Sequence, residues 1–511
     1  MFGGTGPAVL AVGASFLGAL LFGACGPKAP DLPGPKHIVL ISLDTVRADH
    51  LGAYGDRRKL TPTIDALAAQ GMVFDQVLAP APTTLASHTS MLTGSYPQTH
   101  GVVRNGFPVH PDNVTLAEVL RGKGFHTAAF LGSFALDARF GLDQGFELYE
   151  QSFDTLVAPG RDQNQRSAEA VTDAVLQHLD ELGQEPDRTF FFVHYFDAHL
   201  PYEPPLKWAR RLSSDGETMR FDATSIDAIV QAKQRAQFGL EPTSPGFGMG
   251  GAIGHGLAAE TLARADGRPI REEALPASLY AAEIAAVDEQ IARLMVALER
   301  NGWLADTLII LTGDHGETFW EHGDIWNHGL WVYQTTTSVP MIWEWAGAPW
   351  KPGSRIPSPA STVDVVPTLL EMLGLPSPER VDGVSWLPAF GGGTVDRGPV
   401  FSVATQPYSP LVERPDLIWR NALKPHAIRL GPWKYIQSEY NGVEELFQLD
   451  QDPGERKNRI AEAASDPEVA NVLQDLRTRL QAFRASAHPL PSQFDPSQAR
   501  EAQSRLKAMG Y

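Results

Sequence analysis

Lys36-His37-Ile38-Val39-Leu40-Ile41-Ser42-Leu43-Asp44 is an almost unbroken apolar run, rich in β-branched residues and closed by an acid. A strand half-exposed to water would alternate apolar with polar; a run like this one reads as a strand covered on both faces, as in a parallel sheet. Two further stretches repeat the form. Thr307-Leu308-Ile309-Ile310-Leu311-Thr312-Gly313 ends on Asp314-His315-Gly316-Glu317, and Phe190-Phe191-Phe192-Val193-His194-Tyr195-Phe196 ends on Asp197-Ala198-His199. Ligands of open α/β sheets gather beyond the carboxyl ends of the strands. Three strands that each carry an acid or an imidazole to that edge predict a site there.

Working outward, helices fall between the strands. Thr61 to Gly71 has a Thr cap, Pro62 at the first position and a closing glycine. Thr115 to Gly122 is another, followed by the strand His126 to Leu131, and Ser167 to Leu182 and Tyr280 to Arg300 continue the series. Helix and strand in alternation give a doubly wound α/β fold with a mixed, mostly parallel sheet. Val363 to Leu373 reads as a helix interrupted early by Pro367. Beyond about residue 400 strands follow one another at 426–429, 433–436 and 445–449. A turn at 452–455 and a helix from about 467 to 483 complete a small antiparallel sheet with its helix. Lys434 reads as a solvated strand lysine, and 498–511 as a polar helix.

The chain has 511 residues, 43% of them hydrophobic, enough to bury a large core. Its formal charge of -18 argues against nucleic acid or an anionic membrane surface as partner. An anionic substrate would have to be drawn in by local groups. Residues 1–24 carry no charge and are apolar and small, a signal-like segment. Cys25, the single cysteine, follows Leu21-Phe22-Gly23-Ala24 as in a bacterial lipobox, so that Cys25 would be lipidated. A single-span anchor and a bare secretory signal are the alternatives. Residues 26–34, rich in Pro and Gly, read as a tether.

Asp44, Asp314 and His315 make a metal set of two carboxylates and an imidazole, with the Thr84 hydroxyl as a further ligand. That mixture suits one zinc or manganese ion better than calcium. Thr84 lies in Pro82-Thr83-Thr84-Leu85-Ala86-Ser87-His88-Thr89-Ser90-Met91-Leu92-Thr93-Gly94, a loop feeding a helix, with Gly94 as its stop. At a helix N-terminus Thr83 or Thr84 would sit where an alkoxide or a bound oxyanion is stabilised. Plain hydroxyl capping is the alternative reading of the same stretch.

The chain resembles the sulfatase family of the alkaline phosphatase superfamily from about Lys36 onward. The resemblance rests on Leu43-Asp44-Thr45-Val46-Arg47-Ala48-Asp49-His50-Leu51-Gly52-Ala53-Tyr54-Gly55, on Ser87-His88 through Leu92-Thr93-Gly94, and on Tyr96-Pro97 with His100-Gly101-Val102. His199-Leu200-Pro201-Tyr202, Asp314-His315-Gly316-Glu317, Glu321-His322-Gly323 and His328-Gly329 extend it. It implies an alkaline-phosphatase-like fold and an ester hydrolase. Counting back from Leu92-Thr93-Gly94, Thr84 falls where the family carries the Cys or Ser that becomes formylglycine, and threonine is no substrate for that conversion. His88 replaces the Arg that would follow, Thr45 replaces the second metal-binding aspartate, and Asp314-His315 replaces an Asp-Asn pair.

Formylglycine hydrate expels sulfate by collapsing to an aldehyde, which a threonyl ester cannot do. A threonyl phosphate can be hydrolysed by activated water. The departures therefore lean towards phosphate, phosphodiester and phosphonate esters as well as sulfate. The resemblance also implies His199 and His328 on the catalytic, leaving-group side and Asn105 as a substrate-binding amide. Arg47 and His88 either face the substrate or brace the loops.

The expected organisation is a lipoprotein-type signal (1–25), a tether (26–35), a catalytic domain (36–395), a C-terminal α/β subdomain (396–485) and a tail (486–511). Within the catalytic domain, 206–275 is either a lid or a surface excursion. The expected activity is an exported, metal-dependent hydrolase of small-molecule, glycan or lipid esters, lipid-anchored at the bacterial cell envelope. A phospho-headgroup transferase and a catalytically inactive binding protein are the alternatives.

Overall fold

In the computed structural model the strand His37–Leu43 lies inside an eight-stranded sheet, with every residue buried. The structure describes residues 34–153, 164–183, 185–200, 202, 204–212, 274–319, 321–323, 328–405, 424–439 and 442–491, with residues 1, 3, 502, 505 and 506. Cys25, the tether up to residue 33 and most of the 206–275 segment lie outside them. Residues Met1–Asp31 and Leu32–Tyr511 are two separate units, and the second carries the fold.

The sheet order is Ser354–Ile356, Met72–Phe74, Met341–Glu344, Thr307–Gly313, His37–Leu43, Thr189–Tyr195, His126–Leu131 and Leu148–Glu150. Met341–Glu344 alone runs against its neighbours. The continuous apolar runs now have their explanation. Ile38, Leu40, Phe190, Phe192, Leu308 and Ile310 enter one core layer. The residues between them, Val39, Ile41, Phe191, Val193, Ile309 and Leu311, enter the other. Helices cover both faces. Thr84–Thr93, Leu116–Arg121 and Val365–Met372 send Leu85, Leu92, Leu120 and Leu369 to the first layer. Pro62–Gln70, Ala168–Leu182 and Ala274–Arg300 send Ile64, Val175 and Ile291 to the second. The doubly wound, mostly parallel sheet is thus the observed architecture.

A second, four-stranded antiparallel sheet joins Val400–Val403, His426–Leu430, Trp433–Ser438 and Val443–Gln448. The helix Pro467–Ala485, capped by Asp466, lays Val469, Leu473, Leu476 and Leu480 on it. Three details differ from expectation. Pro367 does not interrupt its helix: a 3-10 turn at Thr362–Asp364 precedes it, so Pro367 falls in the first α-turn, where no N–H is missed. Lys434 is buried, not solvated, and pairs with Glu455 Oε1 at 2.7 Å. Ala502 and Leu506 of the tail are buried in the first core layer. Among the described residues no helix is long and apolar enough to cross a membrane.

Candidate active site

The register of the sheet places the acids side by side. Leu43 pairs with Gly313 on one flank and with Tyr195 on the other, so Asp44 and Asp314 leave adjacent parallel strands at the same level. Asp314 N–H donates to Leu43 O, and Asp44 N–H to Tyr195 O. The helix Thr84–Thr93 is pinned above them: Ser87 Oγ donates to Asp314 O at 2.6 Å. Gly94 closes that helix at φ +70°, where an added Cβ would meet Val366 Cβ at 3.0 Å. Leu85 N–H, one of the helix's unpaired donors, is accepted by Asn105 Oδ1 at 2.8 Å.

Asp44, Asp314 and His315 are fully buried, and one ligand atom of each lies within 4.8 Å of the others. His315 Nε2 is 3.4 Å from Asp314 Oδ2 and 3.8 Å from Asp44 Oδ1. Those three atoms have no hydrogen-bond partner among the described residues. Orphaned acceptors converging in a buried space are what a divalent cation completes, and two carboxylates with one imidazole fit zinc or manganese. Burial, reinforced by Asp314, holds the Asp44 carboxyl well above the usual range. Burial pushes Asp314 up as well, but the imidazoles of His315, His88 and His194 outweigh it and hold that carboxyl low.

Thr84 is the first residue of its helix, 0% exposed, with Oγ1 3.5 Å from Asp44 Oδ2. His199 is held by a 2.6 Å hydrogen bond from Nδ1 to Leu200 O and by stacking on Phe196. His328 lies 5.1 Å from the His199 ring and 4.5 Å from the His315 ring, centroid to centroid, and its Nδ1 is 3.3 Å from Glu317 Oε1. Burial lowers both imidazoles and pushes the Glu317 carboxyl up to about 8. Thr45, with φ 57°, has its hydroxyl 2.7 Å from both Asp44 O and Ala198 O, one proton shared between two backbone acceptors.

Of the two roles open to Arg47 and His88, facing the substrate or bracing the loops, the internal contacts of both match bracing. Arg47 pairs with Asp49 at 2.7 Å and Glu321 at 2.8 Å and donates to Glu317 O, which braces the loops. His88 has both ring nitrogens occupied inside the protein: Nδ1 donates to Thr84 O and Nε2 accepts from Ser42 Oγ, each at 2.7 Å. Every nitrogen of the Arg47 guanidinium and of the His88 ring thus has a partner inside the protein. Asp197 likewise accepts from Ala168 N–H, capping the helix Ala168–Leu182, and contributes nothing to the cation set.

Sequence reasoning missed His194, whose Nε2 is 3.2 Å from Asp44 Oδ2 and whose Nδ1 accepts from Gly132 N–H. It is the one imidazole in an aromatic strand, which is the signal the sequence offers. Glu317 and Tyr202 belong to motif stretches and meet at 3.4 Å, the Tyr202 hydroxyl donating to Glu317 Oε2.

Comparison with known proteins agrees with this fold. The sulfatase family model matches residues 36–375, and the model for the N-sulphoglucosamine sulphohydrolase C-terminal region matches 321–486. The multifunctional alkaline phosphatase superfamily protein PehA of Trinickia caryophylli is 25% identical over 413 residues, 70% of this chain and 77% of the relative. The steryl-sulfatase of Mus musculus is 24% identical over 573 aligned residues, 96% of this chain and 88% of the relative. Among solved structures, a phosphonate monoester hydrolase of Agrobacterium radiobacter superposes with a TM-score of 0.66 at 24% identity, covering 89% of this chain and 96% of the other.

Proposed function

The chain belongs to the sulfatase family, and from that premise we propose that this ester hydrolase uses Thr84 as its nucleophile on sulfate, phosphate or phosphonate esters, with phosphorus favoured. The observation that carries the reading is the position of Thr84. Its buried hydroxyl opens a helix 3.5 Å from Asp44 Oδ2, beside the three orphaned atoms of Asp44, Asp314 and His315. A divalent cation held by Asp44, Asp314, His315 and the Thr84 hydroxyl supplies positive charge that lowers a hydroxyl's pKa and offsets the ester's negative charge.

The chain's own groups divide the remaining work. Asp44, which would ionise once a cation offsets its burial and the neighbouring Asp314 charge, is oriented by His194 and takes the proton on Oδ2 as Thr84 Oγ attacks phosphorus or sulfur. The new Oγ bond forms as the bond to the ester oxygen breaks, and the alcohol leaves with a proton from the His199 and His328 pair. An anionic ester seated beside these buried rings raises their proton affinity, so they can take and return a proton. Water then cleaves the threonyl ester. That last step favours phosphorus, because a threonyl sulfate lacks the aldehyde route open to formylglycine.

The relatives named as phosphonate monoester hydrolase and as a multifunctional superfamily protein support the same lean. The intact cation set speaks against an inactive binding protein. We further propose export and a lipid anchor at Cys25, on the apolar segment before it.

The test is turnover of para-nitrophenyl phosphodiesters, phosphonates and sulfates side by side, on protein stripped of metal and reloaded with zinc or manganese. Thr84→Ala should lose a factor of roughly a thousand or more, and Thr84→Ser should keep a measurable part. Asp314→Ala should lose bound metal and activity together. Full metal content in Asp314→Ala, or full turnover in Thr84→Ala, contradicts the proposal.

A further inference from the structure

The residue before the nucleophile has the backbone of a helix cap without the cap's hydrogen bond. Thr83 is extended, at φ −151° and ψ 149°, and its side chain makes no capping contact. A threonine there ordinarily turns its hydroxyl onto an N–H of the first turn. This chain does so elsewhere: Thr115, Ser133, Ser167 and Asp466 all accept from N–H groups of the helices they open. Before Thr84–Thr93 that task passes to Asn105, whose Oδ1 takes Leu85 N–H. Thr83, 1% exposed, is left with a hydroxyl that has no partner among the described residues, and so is the buried Nδ2 of Asn105.

An unpaired buried polar group of this kind destabilises the fold unless something else pairs with it. Here a hydroxyl and an amide stand unpaired at the start of the helix that carries Thr84. Both can donate, and a tetrahedral sulfate, phosphate or phosphonate centre offers oxygens that accept. We infer that Thr83 is a catalytic residue that contacts substrate: its Oγ–H and Asn105 Nδ2–H donate to non-bridging oxygens of the ester centre that Thr84 attacks. The inference rests on Thr84 as nucleophile and adds a donor that fixes the ester in line with it. Thr83 is relieved of capping so that its hydroxyl stays available.

The isostere Thr83→Val removes the hydroxyl and keeps the shape, with Thr83→Ser as the rescue and Thr84→Ala as the control. On metal-loaded protein with the best ester of the panel, Thr83→Val should lower kcat by about 100-fold, the scale of one lost oxyanion donor. Its metal content should be unchanged and its melting temperature equal or higher, because an unsatisfied buried hydroxyl is gone. Thr83→Ser should recover most of kcat.

A structural role predicts the opposite sign, a lower melting temperature in Thr83→Val. That result, or a wild-type kcat, overturns the inference. If Thr84→Ala is inert while Thr83→Val is fully active, the inference on Thr83 alone falls. If Thr84→Ala is active, the nucleophile reading falls first and this inference with it.

Discussion

His100 and His426 lie away from the cation set, each buried so completely that its imidazole is pushed down to about 3. In the unfolded chain both titrate near 6.5. Between those values the unfolded form binds the extra protons. The stability these rings contribute is therefore fully present above pH 6.5 and is lost as the pH falls towards 3, by up to about 1.4 kcal/mol per ring and pH unit. The melting temperature should drop steeply from pH 6.5 to pH 4, and His100→Gln should flatten that slope; a pH-independent melting temperature would contradict it. Legibility at this scale followed position. Asp44, Asp314 and His315 were readable because they end apolar runs. His194 escaped because it sits inside such a run, where its neighbours Phe192, Tyr195 and Phe196 made it look like core. Arg47 and His88 sit in motif positions, but what they touch depends on Asp49, Glu321 and Ser42, partners that no spacing rule selects.

Helices with local signals matched their boundaries closely. Pro62–Gln70 begins at its proline and stops before Gly71, and Leu116–Arg121 shows the capping box of Thr115 and Glu118. Signals that need a second element were lost. The 3-10 turn ahead of Pro367 shifted that residue into a harmless position. Lys434 alternates properly along its strand, but the face it occupies is covered by Gln334 and Glu455, and Glu455 Oε2 also accepts Gln334 N–H at 2.6 Å. Removing one partner of a buried ion pair costs about 3–5 kcal/mol. Lys434→Ala should therefore lower the unfolding free energy, read from the urea midpoint and slope, by about that much, with Glu455 left as an unpaired buried acid. A midpoint equal to that of the wild type would show that the pair adds nothing to holding the small sheet.

Over the whole molecule a net charge of -18 repels anions, so on the proposed reading an anionic ester is held by local groups: the cation set, the imidazoles and the donors beside Thr84. The doubly wound architecture was legible because both-face burial writes itself as unbroken apolar runs. The assignment of Thr84 as nucleophile is a proposal that rests, in the sequence, on the register from Leu92-Thr93-Gly94 alone. If the chain is lipid-anchored, Cys25→Ser should leave the membrane fraction; a Cys25→Ser protein that still partitions there points to a transmembrane anchor. The central claim, that Thr84 attacks phosphorus or sulfur directly, is tested most directly by rapid acid quench of metal-loaded protein turning over a phosphodiester or phosphonate, followed by peptide mapping. The account predicts a phosphoryl or phosphonyl adduct on Thr84, forming no slower than product and absent in Thr84→Ala. An adduct on Ser87 or Thr83, or none at all during turnover that survives in Thr84→Ala, would contradict it.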